Sequence, residues 1–276
     1  MRRVYLLLIV ITYLLSCARQ ETLVFSVMGD VPRQAWEDTL IQAQILAHNK
    51  TSAAEFMLHV GDIKTGSSPC DEQVYAKVAG YLKTLNVPVF IVPGDNEWND
   101  CADPQQAWIY WQQYFSGFER NWSREWKVQH QAAHSENVAW MSRNVLMIGI
   151  NLVGGRIHDQ AAWQKMMETA DIWIRAQFEA HRDKVYAAVV FAQAHPNKKH
   201  QWFMERFLNQ VKSFAKPVLY LHGDGHRWLY EKNWLVPNLT RIQVDQGARA
   251  VPLEIQVSMR SDSTFAYNRT AFPMPE

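Results

Sequence analysis

The chain lacks an excess of charge of either sign: 28 Lys and Arg stand against 27 Asp and Glu. Arg2 and Arg3 open the chain, so the body from residue 17 carries 26 basic against 27 acidic residues. A near-neutral body argues against non-specific binding to nucleic acid, and no nucleic-acid partner is expected. Long apolar runs are missing beyond the first few residues, so the body is expected to be soluble. GxSxG, HExxH and GxGxxG are absent, which removes the nucleophile-elbow, zincin and dinucleotide-binding readings. GDIKTGSS at 61–68 has the glycine spacing of a phosphate loop but Ser67 where the lysine must stand. With aromatics at 12% and hydrophobic residues at 48%, disorder, collagen-like repeat and coiled coil are excluded. The twelve tryptophans run from Trp36 to Trp234 without a period and read as core and loop-clamping residues.

The N-terminus reads as a signal peptide over residues 1–18. Arg2 and Arg3 precede an apolar run from Val4 to Leu15, too short for the roughly 20 residues that span a bilayer. Leu14-Leu15-Ser16-Cys17 resembles a bacterial lipobox, which would make Cys17 a lipid anchor. Ser16-Cys17-Ala18 equally fits an ordinary signal-peptidase site, and the lipoprotein reading is preferred of the two. Four glycosylation sequons, at Asn49, Asn121, Asn238 and Asn268, would matter only in a eukaryotic source. The expectation is export to the periplasm or outer surface, with the membrane reached only through the lipid. Cys70 and Cys101 are the remaining cysteines and are expected to form a disulfide, which an oxidising compartment permits.

After residue 21, short apolar runs alternate with segments of helical period. Leu23–Met28, Phe56–Val60, Val87–Val92, Val145–Ile150, Val185–Ala192 and Val218–Leu221 read as buried strands. Residues 34–48, 71–85, 104–117, 159–181 and 199–214 read as helices, giving an α/β domain with largely parallel sheets. Arg227–Val236, Leu239–Asp245 and Leu253–Met259 look like an antiparallel run. Residues 98–143, rich in Trp, Gln and Tyr, are expected to cap the site, and 261–276 to form a tail after a domain covering 22–260.

What closes the strands carries the chemistry. Gly-Asp follows four of them, at Asp30, Asp62, Asp95 and Asp224, more often than 12 glycines would meet aspartate by chance. A further strand ends at His195, and His226 lies two residues past Asp224. Ligands bind outside the carboxyl ends of α/β strands, and clustered carboxylates repel one another unless cations neutralise them. Asp and His together suit one or two divalent ions such as Mn, Fe, Mg or Zn, and two close ions form a hydrolytic clamp on phosphoryl oxygens.

GDVP at 29–32, GD at 61–62, GDNE at 94–97, AHP at 194–196 and GDGH at 223–226 resemble, in order and spacing, the five motifs of the calcineurin-like metallophosphoesterase superfamily. The resemblance spans about residues 22–245. It implies a four-layer α/β/β/α sandwich of two mixed sheets and a phosphorylated substrate hydrolysed by a metal-bridging hydroxide. It also implies a first ion held by Asp30, Asp62 and His226, and a second by Asp62, Asp95, His195 and Asp224. Four letters depart from the pattern: Pro32 replaces a ligand histidine, aspartates replace two softer ligands at 95 and 224, and Asn96 replaces the histidine that assists the leaving group. Asp62 and Asn96 are the positions where catalysis is expected to centre, without a general acid. His59 and His222 read as strand histidines satisfied by the backbone, although the alternation of His222, Asp224 and His226 keeps a ligand role for His222 open. Lys64, Arg33 and Arg249 are expected at the surface, as are His48, His130, His134, His158, His181 and His200. The alternative to an enzyme is a lipoprotein on the same fold that binds an ion or phosphorylated ligand without turnover.

Overall fold

A computed structural model describes residues 22–123, 126–259 and 263–273; residues 1–18, read above as a signal peptide, and with them Cys17, lie outside the described residues. Among the described residues twelve strands form two sheets. The first has the order β12 (Phe265–Asn268), β11 (Leu253–Ser258), β1 (Thr22–Met28), β2 (Met57–His59), β3 (Val89–Ile91). The second has the order β4 (Gln129–Gln131), β5 (His134–Ser142), β6 (Val145–Gly149), β7 (Ala187–Ala192), β8 (Val218–His222), β10 (Leu239–Gln243), β9 (Leu229–Glu231). Strands β1 to β3 run parallel, as do β6, β7, β8 and β10, while β11 and β5 pair antiparallel with their neighbours. Both sheets are therefore mixed.

Side-chain alternation along the strands makes three cores from two sheets. In β8, Leu219 and Leu221 face the space between the sheets, whereas Val218 and Tyr220 face helices α4 (Gln160–His181) and α5 (Gln201–Phe214). On the other side, Met57, Val89 and Ile91 pack against helices α1 (Glu37–Thr51), α2 (Glu72–Leu82) and α3 (Pro104–Phe115). Helices, sheet, sheet, helices is the expected four-layer sandwich. Two helices start where their sequence dictates: Asp103 caps α3 ahead of Pro104, and Asp159 Oδ1 accepts the N–H groups of Ala161 and Ala162 to start α4.

Residues 98–143 are built into both halves of the sandwich: they supply α3 to the first, and β4 and β5 to the second. In β5, Val138 and Trp140 fill the inter-sheet core while Ala139 faces α4, so the strand is buried on both faces. One expectation needs correction: the C-terminal run is not one antiparallel unit. β10 lies parallel to β8, while β11 crosses to the first sheet and pairs with β1, where Leu253, Ile255 and Val257 complete the inter-sheet core. Strand β12 extends this sheet past residue 260 to Asn268.

Cys70 and Cys101 form the expected disulfide, with Cα atoms 6.0 Å apart and a separation of 31 positions in sequence. It ties the loop after β2 to the loop after β3, and both sulfurs lie within 4 Å of the Asn96 carbonyl oxygen, at 3.8 and 3.6 Å. Replacing both cysteines by serine is expected to lower unfolding free energy by about 3 kcal/mol in urea titration, the cost of freeing a loop of that length.

Candidate metal centre

Five of the parallel strands stop at the same edge of the sandwich, and each hands over to one of the motif residues. Asp30, Asp62 and Asp224 all take left-handed backbone, at φ 54°, 61° and 66°, as does His226 at 56°. Such conformations are uncommon outside glycine and cluster where a site imposes them. Gly94 and Gly223 explain half of the Gly-Asp repeat: a Cβ on Gly94 would collide with Asp62 Oδ1, and one on Gly223 would sit 2.7 Å from Asp30 Oδ2. Each glycine lets its own loop approach the carboxylate of another.

Asp30, Asp62 and His226 each offer one ligand atom, and these atoms lie within 4.8 Å of one another. Both oxygens of Asp30 are buried without a hydrogen bond, and so is His226 Nε2. His226 Nε2 and Asp30 Oδ1 are 3.1 Å apart without the alignment of a hydrogen bond, which is the arrangement of two donors aimed at a shared cation. The residues fit a divalent ion, and the sequence-derived first ligand set is brought together. Among the described residues, Asp95, His195 and Asp224 form no second group of this kind, although they line the same crevice.

The electrostatics point the same way. Burial and then the carboxylates of Asp95, Asp30, Glu97 and Asp224 push Asp62 well above the usual carboxylate range. Burial, then Asp224 and Asp100, raise Asp95 to about 6; burial lifts Glu97 to about 7 and also raises Asp224. Gln193 Nε2 donates to Asp95 Oδ1 at 2.6 Å, and the His195 backbone N–H donates to Asp224 Oδ2 at 3.1 Å. Gln243 donates to the Arg227 carbonyl at 2.6 Å, and its Oε1 lies 2.5 Å from His195 Nδ1, which Arg241 Nη2 also approaches at 3.1 Å. Both contacts are spent on Nδ1, so the ring is held with Nε2 free of them.

Asn96 donates its backbone N–H to Asp62 Oδ1 at 3.4 Å, and its side-chain oxygen lies against Gly66. Neither candidate substitute acid is available. His59 donates Nε2–H to the Val31 carbonyl at 3.0 Å and burial lowers it to about 4. His222 donates from Nδ1 to the Gly223 carbonyl, accepts Arg241 Nε–H on Nε2 at 3.0 Å, and is held well below its usual range by burial. Both ring nitrogens being spent, His222 has no lone pair left for an ion.

Several surface expectations are overturned. Lys64 is 2% exposed and donates to the carbonyls of Thr65 and Asn96 at 2.9 and 2.8 Å. Arg33 is half-buried, with Nη1 3.3 Å from His226 Nδ1. His48 and His200 are core residues, bonded to Ser26 Oγ and the Val153 carbonyl. Arg249 is exposed, as expected. Glu97 was not singled out by sequence, yet its Oε1 accepts the N–H groups of Asp62 and Gly94 at 3.0 and 2.6 Å. Its place in GDNE was the available signal. Gln193, which directly follows β7, and Arg241 and Gln243, on the buried strand β10, carried none.

The carboxylate cluster sets a pH-dependent contribution. The native state holds protons on Asp95 and Glu97 that the unfolded chain releases at lower pH, so what these two contribute to stability falls as pH rises through the window from about 4 to 7. In thermal unfolding of chelator-treated protein, Glu97→Gln, which keeps the neutral form at every pH, is expected to gain Tm on the parent between pH 5.5 and pH 8, and added divalent ion to raise the parent at pH 8. A difference between variant and parent independent of pH, with no effect of added ion, would contradict this account.

No family model matches the sequence, and no curated protein matches it at significance. Solved structures do match, each at 11% identity. GAP50, described as the anchor in the inner membrane complex of Plasmodium, aligns with 93% of this chain and 90% of its own at a TM-score of 0.55. TT1561 of Thermus thermophilus aligns over 90% and 99% at 0.52, and the 5′-nucleotidase of Candida albicans over 89% and 50% at 0.51. A chain with two mixed sheets between helical layers, and motif loops gathered at one edge, thus has the calcineurin-like metallophosphoesterase fold.

Proposed function

We propose that this chain is an exported, metal-dependent phosphoesterase acting on phosphate esters or anhydrides. The observation that carries the reading is the pair of unpartnered, buried Asp30 oxygens beside Asp62 and His226. Asp30, Asp62 and His226 would hold one ion; Asp95, His195 and Asp224 would hold a second, with Asp62 shared. Bound there, divalent ions supply electrophilic activation of the phosphoryl group and an acidified water. The aspartates at 95 and 224 make the donor set hard, which favours Mn, Mg or Fe. Glu97 keeps Asp62 oriented through the backbone, and Gln243 and Arg241 hold the His195 ring in place through Nδ1. The Asn96 carboxamide can hydrogen-bond a phosphoryl oxygen but cannot protonate a departing alkoxide.

Among the described residues no helix is long and apolar enough to cross a membrane. Export is supported by the disulfide and by the N-terminal segment, where Cys17 would carry the lipid.

Asp62→Ala is expected to abolish bound metal, read by elemental analysis, together with about 10²-fold or more of the hydrolysis of an aryl phosphate. Retention of either in full would refute the assignment. Without a general acid, aryl esters and anhydrides should outpace alkyl monoesters by about the 10²–10⁴-fold that such an acid supplies; comparable rates would remove the role given to Asn96. A second reading, a non-catalytic ion or phospho-ligand binder, draws on Pro32 and Asn96 and on the anchoring role by which GAP50 is described. Bound ion without turnover under any divalent metal would favour it.

A further inference from the structure

A cavity of about 330 Å³ opens beside the metal centre, walled by Trp98, Trp108, Asn137, Asn151, Met166 and Thr169. It contains none of the candidate ligands, yet it is built from the same loops. Trp98 follows Glu97 directly, and its backbone N–H donates to the Asp95 carbonyl at 3.4 Å. Asn151 opens the segment whose Gly154 donates to Gln193, the residue that holds Asp95, at 2.7 Å. Gly155 of that segment lies against Asp95, where a Cβ would come within 2.8 Å of the Asp95 Cβ.

The walls suit a flat ring. Trp98 and Trp108 meet at a 60° tilt with ring centres 5.1 Å apart, and Trp108 is itself stacked on the core residue Trp111 at 5.2 Å. Met166 adds an adaptable apolar surface. Polar character is confined to a few fixed groups. Asn137 is fully committed, accepting the Asn151 backbone N–H at 2.6 Å and donating to Gln131 at 2.7 Å. The Asn151 Oδ1 acceptor and the Trp98 indole N–H are buried with no partner and closed off from the cavity, so the polar side chains that line it beside the apolar ones are chiefly His134, Glu136 and Lys165. An apolar pocket with a small number of oriented polar groups is how proteins bind organic ligands.

We infer that this cavity receives the aromatic ring of the substrate, making the preferred substrate class an aryl phosphate. The inference rests on the phosphoesterase reading, and a separate feature of the site agrees with it. An aryl ester releases a phenolate, which departs without the proton that Asn96 cannot give.

The test uses 1-naphthol, a flat ring without phosphate, titrated calorimetrically into chelator-treated full-length protein. Ala162 on α4 and Gln105 on α3 are exposed residues that line the cavity, so Ala162→Trp and Gln105→Trp fill it without entering a core. Saturable one-to-one binding to the parent protein, weakened about tenfold in each variant, is expected. No saturable binding, or unchanged affinity in both variants, overturns the inference. With ion restored, the ratio of kcat/KM for 1-naphthyl phosphate to that for acetyl phosphate should fall about tenfold in the variants; an unchanged ratio also overturns it. Naphthol binding without turnover of either phosphate would keep the ring site and overturn the hydrolytic reading instead.

Discussion

Asp62 sits in a setting from which water is largely excluded, with Asp30, Asp95, Glu97 and Asp224 all raising its proton affinity. Like charges so placed cost free energy in any folded state, and the cost grows as the surroundings dry. The rest of the site can be understood as the means of tolerating it. Lys64 is buried although charged, and Glu97 and Asp62 are the first carboxylates to offset the burial that lowers its proton affinity. Backbone N–H groups of Asp62, Gly94 and His195 are turned onto Glu97 and Asp224. One buried ammonium against five carboxylates still leaves a deficit of positive charge, and the unpartnered Asp30 oxygens mark where it is concentrated.

That concentration requires loops from both sheets to meet at one edge, which fixes the architecture around it. Asp30, Asp62 and Asp95 come from the first sheet; His195, Asp224 and His226 come from the second. The inter-sheet core sets the separation of the two groups, and aromatic packing there is dense: Phe90 stacks on Trp140 at 3.7 Å across the interface, and Phe56 meets Trp140 edge-on. The disulfide acts nearer the chemistry. By tying the loops that follow β2 and β3, it holds the carbonyl of Asn96, to which Lys64 also donates, and so the segment that carries Asp95 and Glu97.

The fold was legible because its main signals are local. Apolar runs closed by Gly-Asp mark both a buried strand and its functional end, and every motif residue proved to lie at such an end. The elements misread are those whose pattern is set from a distance. Strand β5 is buried on two faces by different cores, so its run of Asn137, Val138, Ala139 and Trp140 shows no alternation to detect. β11 gives a clear alternating signal, but its partner β1 lies more than two hundred residues earlier and only packing between sheets selects it. The same reason hides Lys64 and Arg33. Their burial depends on carboxylates contributed by other loops, and nothing in their own neighbourhood distinguishes them from solvated residues.

The departures from the motif pattern that the sequence resembles also share a direction. On the proposed reading, aspartates at 95 and 224 would add negative charge where that pattern has neutral ligands, and Pro32 would remove a neutral donor, leaving a harder and more anionic site. Such a site would grip a divalent ion more strongly by charge while offering fewer donors at the first position. Asn96 in place of an acid would remove help for poor leaving groups without weakening the hold on the phosphoryl oxygens. A chain altered in these ways would still activate a phosphoryl group, but it would depend on the substrate for what it no longer supplies. The apolar cavity between Trp98 and Met166 is where a ring able to leave as a stable anion would find its contacts, so the loss at position 96 and the shape beside it constrain the same part of the substrate.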